Sequence, residues 1–168
     1  HLDQIVAIDQ DFKSVQWRLG GPGSDFEFRN PEDRFYHQHT ASLLPNGNVL
    51  LFDNGNDRPV GEGGEYSRAL ELELDFDTMT VSKIWEFRNQ PDIFSDCCSI
   101  VHRLENGNSL ILFGINSDPV CCRPFIIVET NPSGEIVWLV DHRSPGKFSQ
   151  YRIYPSDSIM GEVKVINK

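Results

Sequence analysis

Ser67 to Asp75, SRALELELD, alternates polar and apolar residues along its length, with Ala69 opposed by Leu70, Leu72 and Leu74 on the other face. Side chains alternate across an extended chain, so this period of two predicts a strand. Thr80 to Phe87, TVSKIWEF, is its predicted hairpin partner. Upstream, Thr40 to Leu44 and Asn48 to Asp53 are apolar runs bounded by Pro, Asn and Gly, and read as strands joined by Pro45-Asn46-Gly47-Asn48. Gln4 to Asp9 and Ser14 to Leu19 form an earlier pair, and Gly20 to Arg34 reads as a polar loop with Phe26 and Phe28 as its apolar anchors. A second loop, Gly55 to Glu65, is rich in glycine. No amphipathic stretch of ten or more residues suggests a helix, so the fold class is all-β.

The pattern then recurs. Ser99 to Leu104 and Ser109 to Gly114, joined by Glu105-Asn106-Gly107-Asn108, repeat the first hairpin. Phe125 to Thr130 and Glu135 to Val140 repeat the second. LPNGNVLLF aligns with LENGNSLILF, and Trp17, Trp85 and Trp138 each sit late in the last strand of a unit. A repeat of roughly fifty to seventy residues holding four antiparallel strands is the signature of a β-propeller blade. The chain therefore reads as a single partial propeller domain over residues 1–168: a blade remnant (about 1–20), blades at about 35–88 and 95–143, and the start of another at about 148–168. Two whole blades and two partial ones do not close a ring, so the expectation is a piece of a longer protein, with missing blades supplied by the same chain or another copy.

Composition narrows the partners. Fifteen Lys and Arg against 25 Asp and Glu give a formal net charge of −10, which repels nucleic acid and anionic lipid. No apolar run is long enough to span a membrane. The cysteines come as vicinal pairs, Cys97-Cys98 and Cys121-Cys122. A disulfide between pairs, which would place the protein in a secreted or extracytoplasmic compartment, buried thiols and a thiolate metal site all remain open. No permitted Asn-x-Ser/Thr sequon adds to the secreted reading.

The candidate chemistry lies in Tyr36 to Asn56, YHQHTASLLPNGNVLLFDNGN. His37 and His39 precede the first strand and, on an extended chain, would point the same way. A His-x-His metal site with His102 or Asp53 is an alternative reading of this pair. Asp53-Asn54-Gly55 reads as turn chemistry, and Tyr66 as a ring at a strand entrance.

WRLGG at Trp17 to Gly21, QHTASLLPNGNVLLFDNG at Gln38 to Gly55, YSRALELELD at Tyr66 to Asp75 and VSKIWEF at Val81 to Phe87 together resemble the PAPS-independent arylsulfotransferases, the aryl-sulfate sulfotransferases. The later half, with WLVDHR and YRIYP, is similar to the arylsulfotransferase-like branch of plants and fungi. The resemblance implies a six-bladed propeller, of which these residues are the C-terminal portion. It implies transfer of a sulfuryl group from an aryl sulfate to a phenol through a sulfated histidine, with no cofactor and no metal. Matching QHT carries that nucleophile onto His39, and Arg68 is the nearest candidate catalytic cation by motif, or equally a partner for Asp53. His37, Tyr66, Asp53 and Asn54 are the expected substrate-binding residues. The family's supporting His residues and its Arg fall upstream, the Arg immediately before His1. A non-catalytic propeller that binds or scaffolds, and another propeller enzyme using the same His, are the competing readings.

Overall fold

A computed structural model describes residues 2–114, 124–142, 150 and 152–156. Eleven strands carry the described fold: β1 (Ile5–Ile8), β2 (Val15–Leu19), β3 (Glu27–Phe28), β4 (His39–Leu43), β5 (Val49–Asp53), β6 (Arg68–Asp75), β7 (Thr80–Phe87), β8 (Ile100–Arg103), β9 (Ser109–Gly114), β10 (Phe125–Thr130) and β11 (Ile136–His142). The only helical pieces among the described residues are single 3-10 turns at Pro31–Asp33 and Val60–Glu62. The protein is all-β, as its alternation predicts. β1 and β2 form a two-stranded sheet; β3-β7-β6-β5-β4 and β11-β10-β9-β8 are the larger two.

The repeated sequence gives repeated geometry. At both NGN turns the Leu N–H donates to the second Asn carbonyl at 2.8 Å, the Gly N–H donates to the Leu carbonyl at 2.9 Å, and the first Asn side chain accepts from the second Asn N–H at 3.0 Å. Each second Asn also reaches one residue on the neighbouring strand: Asn48 Nδ2 to Glu71 Oε1 at 2.7 Å, and Asn108 Nδ2 to Glu129 Oε1 at 2.6 Å.

One strand was hidden from the sequence. The stretch expected as loop, Gly20 to Arg34, contributes β3, which pairs in parallel with the start of β7 and makes the first large sheet five-stranded rather than four. Phe26 is buried against Trp17 and Phe76, and that burial holds Glu27 and Phe28 on the β7 edge. Glycine and proline on the flanks mask the short alternation.

β5 is buried at every position, as a continuous apolar run covered on both faces should be. Leu50 and Phe52, with Ala69 of β6 and Phe87 of β7, pack against Val101, Ile111, Phe113, Ile126 and Val128 of the second large sheet. The other face, Val49, Leu51, Leu70, Leu72 and Val81, packs under Leu19, Phe26 and Phe35. Ala69 thus lies on the face opposite Leu70 and Leu72, as the alternation requires. Phe52 and Phe113 meet edge to face at 5.2 Å.

A polar bridge closes the edge of this interface. Arg103 donates to Glu71 Oε2 at 2.6 Å and lies 4.5 Å over the Trp85 ring. Burial alone would raise the Glu71 carboxyl, but hydrogen bonds from Asn48 and Asn46 and the Arg103 guanidinium outweigh it and hold it below its ordinary value. A carboxylate depressed in the folded state stabilises above its unfolded pKa, about 4.3, and that stability is lost as pH falls through the lower folded value. Urea unfolding followed from pH 7 down to acid should show Glu71→Gln less stable at pH 7 and less sensitive to acid. An unchanged acid slope would remove Glu71 from this role.

Candidate functional site

His39 opens β4 and pairs with Phe52 of β5, so the strand begins one residue earlier than expected. A bulge follows at once: the register shifts between His39 and Ser42, and Thr40 has φ +48°. His37 also lies in the left-handed region, at φ +51°, so the extended geometry that would align it with His39 is absent. Their rings take different partners. His37 Nε2 is 3.5 Å from Asp57 Oδ2, and its backbone N–H donates to Asp3 Oδ1 at 2.7 Å. His39 Nδ1 is 2.6 Å from Asn54 Oδ1 and 3.3 Å from the His37 carbonyl. Among the described residues, His39 Nε2 has no hydrogen-bond partner.

Asn54 is fully buried, just past the end of β5. Its Nδ2 donates to the Ser95 carbonyl at 2.6 Å, and its own carbonyl accepts from Ser67 Oγ at 2.7 Å. Ser67 Oγ in turn accepts from the Ser95 N–H at 2.8 Å. Ser67 thus holds the Asn54 main chain while Ser95 holds its side-chain amide, and the two serines are themselves bonded.

Gly55 makes the turn after Asn54. Its φ is +79°, its N–H donates to the Tyr36 carbonyl at 2.9 Å, and a Cβ there would stand 2.0 Å from the Tyr66 carbonyl oxygen. Gly55→Ala is expected to cost at least about 1–3 kcal/mol from backbone strain alone. A urea midpoint equal to that of the unsubstituted protein would contradict this.

Asp53 faces the other way, into a charged cluster. Oδ2 accepts from Arg58 at 2.6 Å and from Arg68 Nε at 2.9 Å, while Oδ1 accepts from the Tyr36 N–H at 2.9 Å. Arg68 is enclosed, and its remaining donors go to Glu86 at 3.1 Å and to the carbonyls of Glu32 and Arg34 at 2.9 and 2.8 Å. Burial by itself would lower the guanidinium, but the Asp53 charge and hydrogen bond, with Tyr66 and the Glu86 charge, together outweigh it and keep the cation firmly protonated. Tyr66 is buried among the guanidinium groups of Arg88, Arg58 and Arg68, at 3.6, 4.4 and 5.4 Å from its ring centre.

The six residues expected at the site thus fall into two groups. His37, His39 and Asn54 come together at the entrance to β4. Arg68, Tyr66 and Asp53 lie behind them, enclosed, with their polar contacts made to protein. In this structure Asp53, Asn54 and Arg68 are turned toward protein partners and offer no exposed surface to a ligand. Arg58, Ser67, Ser95 and Arg88 complete the two groups without having been expected there. Ser67 was within reach of the YSR motif, whereas Ser95 carries no local signal. His102 lies apart from the pair, its Nε2 2.9 Å from the Ile153 carbonyl. Among the described residues, no group of three or more His, Cys, Asp or Glu converges as a metal-binding set.

A cleft of about 490 Å³ is lined by residues that include Asp3, Gly20, Phe28, Arg34, Phe35 and Tyr36, and neither His37 nor His39 is among its lining residues. The Tyr36 hydroxyl is pushed up to about 12, by burial and by the Glu62 carboxylate that accepts its hydrogen at 2.8 Å, so it is a phenol and not a phenolate. Cys97 and Cys98 are half-buried, with Sγ atoms 2.7 Å apart, while Cys121 and Cys122 lie outside the described residues. Among the described residues no helix is long and apolar enough to cross a membrane.

Comparison with known proteins bears on this geometry. The profile of the arylsulfotransferase (ASST) family matches residues 1–119. An arylsulfate sulfotransferase AssT of Escherichia coli O6:H1 is 32% identical over 118 residues, covering 66% of this chain and 19% of the relative. One from Lelliottia amnigena is 29% identical over 96 residues, 54% of this chain and 15% of the relative. The chain therefore spans only 15–19% of the length of these curated relatives. The matched region holds both His residues of the site, the Asp53–Asn54 turn and the Arg68 cluster, and the chain belongs to the arylsulfotransferase family.

Proposed function

We propose that these residues are part of a propeller enzyme that transfers a sulfuryl group from an aryl sulfate to a phenol, with His39 as the group that carries it between the two. The single observation that carries this reading is the His39 ring: one nitrogen is tethered by Asn54 and the other has no hydrogen-bond partner among the described residues. A neutral imidazole with an unengaged nitrogen is a competent nucleophile near neutral pH. In the first half-reaction a ring nitrogen bonds to sulfur as the S–O(aryl) bond breaks, and the phenolate leaves with the electron pair. In the second, an acceptor phenol that has given up its proton attacks the same sulfur and the S–N bond breaks. The proton lost by the acceptor balances the one gained by the released phenolate.

Two large sheets packed face to face, each a meander opening with an NGN hairpin, are consistent with consecutive blades of a partial propeller. The sulfuryl oxygens need cationic or N–H donors. Arg68 is enclosed and bonded to Asp53, Glu86 and two backbone carbonyls, so in this reading those donors come from further blades of the same chain or another copy. A secreted or extracytoplasmic location goes with this reading and rests on the cysteines alone.

The competing reading, a non-catalytic propeller scaffold, is favoured by one observation: the expected catalytic cation Arg68 is enclosed and spent on Asp53, Glu86 and backbone carbonyls. Incubation of the intact protein with 4-nitrophenyl sulfate and a phenol acceptor separates the two. Release of 4-nitrophenol that depends on the acceptor, with sulfation of that acceptor, is expected. No release at any acceptor concentration would favour the scaffold.

A further inference from the structure

The hydrogen-bond chemistry around Asn54 specifies more than the place of His39. A backbone carbonyl only accepts, so the 2.6 Å contact of the Asn54 side chain with Ser95 O is made by the amide Nδ2. That contact fixes the orientation of the amide and turns Oδ1 toward His39 Nδ1 at 2.6 Å. Oδ1 also only accepts, so Nδ1 must carry the hydrogen. The other neighbour of Nδ1, the His37 carbonyl at 3.3 Å, is an acceptor as well. Flipping the amide would set its oxygen against the Ser95 carbonyl oxygen, a repulsive contact in a buried site. A neutral imidazole holds one hydrogen, which leaves the lone pair on Nε2.

We infer that Asn54 is a positioning residue that holds His39 in its Nδ1–H tautomer, so that Nε2 is the nitrogen that attacks sulfur. The inference rests on the reading of His39 given above and assigns Asn54 a place behind the ring rather than against substrate, in keeping with its complete burial. The step balances with the Nδ1 hydrogen left in place. As Nε2 bonds to sulfur and the aryl oxygen departs with the electron pair, the ring becomes cationic, and the Nδ1–H bond to Asn54 becomes charge-assisted. When the acceptor phenolate attacks, the S–N electron pair returns to Nε2. A neutral amide orients the ring without neutralising the cation. The sulfated ring therefore remains a good leaving group, which a carboxylate at the same place would impair.

The test uses the intact protein with ¹⁵N-labelled histidine, reading from long-range proton–nitrogen couplings which His39 nitrogen bears hydrogen. Nδ1–H is expected in the unsubstituted protein when the ring is neutral. Asn54→Leu should shift the ring toward Nε2–H and lower kcat about 10–100-fold with KM little changed. Asn54→Asp should keep Nδ1–H but move the acid limb of the pH–rate profile to higher pH, because a carboxylate favours the protonated ring. An Nε2–H ring in the unsubstituted protein overturns the inference and needs no variant to be stable. An Asn54→Leu protein that keeps Nδ1–H and full kcat overturns it too, leaving the His37 carbonyl as the holder. The tautomer is read without turnover, so an inactive protein with Nδ1–H at His39 would sink the sulfotransfer reading and leave the Asn54 assignment standing.

Discussion

His39→Ala is expected to lower aryl sulfate turnover by at least about 10³-fold, the scale on which losing a covalent nucleophile is felt. The ring projects from the first residue of β4, beside the bulge, and its one tethered nitrogen binds a side chain rather than the β ladder. Its removal should therefore leave the hairpin and both large sheets intact. Unchanged circular dichroism beside lost turnover, with the urea midpoint lowered by no more than the unpaired Asn54 Oδ1 costs, would identify a chemical role. Comparable rates for the two proteins, with 4-nitrophenyl sulfate as donor, would remove His39 from the reaction.

Asp53→Ala should have the largest effect on stability. The side chains of Asp53, Arg58 and Arg68 are each within 2% of complete burial, and both guanidinium groups bond to the same carboxylate oxygen. Removing one partner of a buried ion pair strands a desolvated charge, at about 3–5 kcal/mol, and here two cations lose the same anion. The Tyr36 N–H would lose its acceptor as well. The loss should appear as a urea midpoint shift at constant slope, and Asp53→Asn should fall between the two because it keeps an acceptor. A shift worth under about 1 kcal/mol would mean that water or other acceptors take over both guanidinium groups. Turnover in Asp53→Ala would fall through the fraction folded, whereas in His39→Ala it falls with the fold retained.

Local pattern carried much of the fold. The strands Thr80–Phe87, Ser109–Gly114 and Phe125–Thr130 match their sequence reading at both ends, because β-rich runs bounded by turn residues leave little choice of where a strand starts and stops. The NGN turns were legible for the same reason, since their closing bonds lie within five residues of chain. β3 was not, because two residues carry no period and their pairing depends on Phe26 finding Trp17 and Phe76 far along the chain.

At the site, the resemblance carried by the QHT motif pointed to His39 but not to what surrounds it. The orientation of Asn54 depends on Ser95, 41 residues away, and Arg68 is spent on groups as distant as Glu32 and Arg34. No window of sequence holds such information. The left-handed turn at His37 broke the alternation argument because histidine carries no mark of a positive φ. The pairing of Asp53 with Arg68 was one of the alternatives the sequence offered, but its burial and the second arginine, Arg58, were not, since an Asp before Asn-Gly reads as turn chemistry.

The central claim is that His39 carries the sulfuryl group. It is tested most directly by mixing the intact protein with excess 4-nitrophenyl sulfate in the absence of any acceptor, quenching at alkaline pH and mapping the peptides by mass. One sulfuryl group on the peptide containing His39, formed with a burst of one equivalent of 4-nitrophenol and discharged when a phenol is added, is the result expected. A burst with the sulfuryl group on another residue, or acceptor sulfation with no adduct at any time, would contradict it.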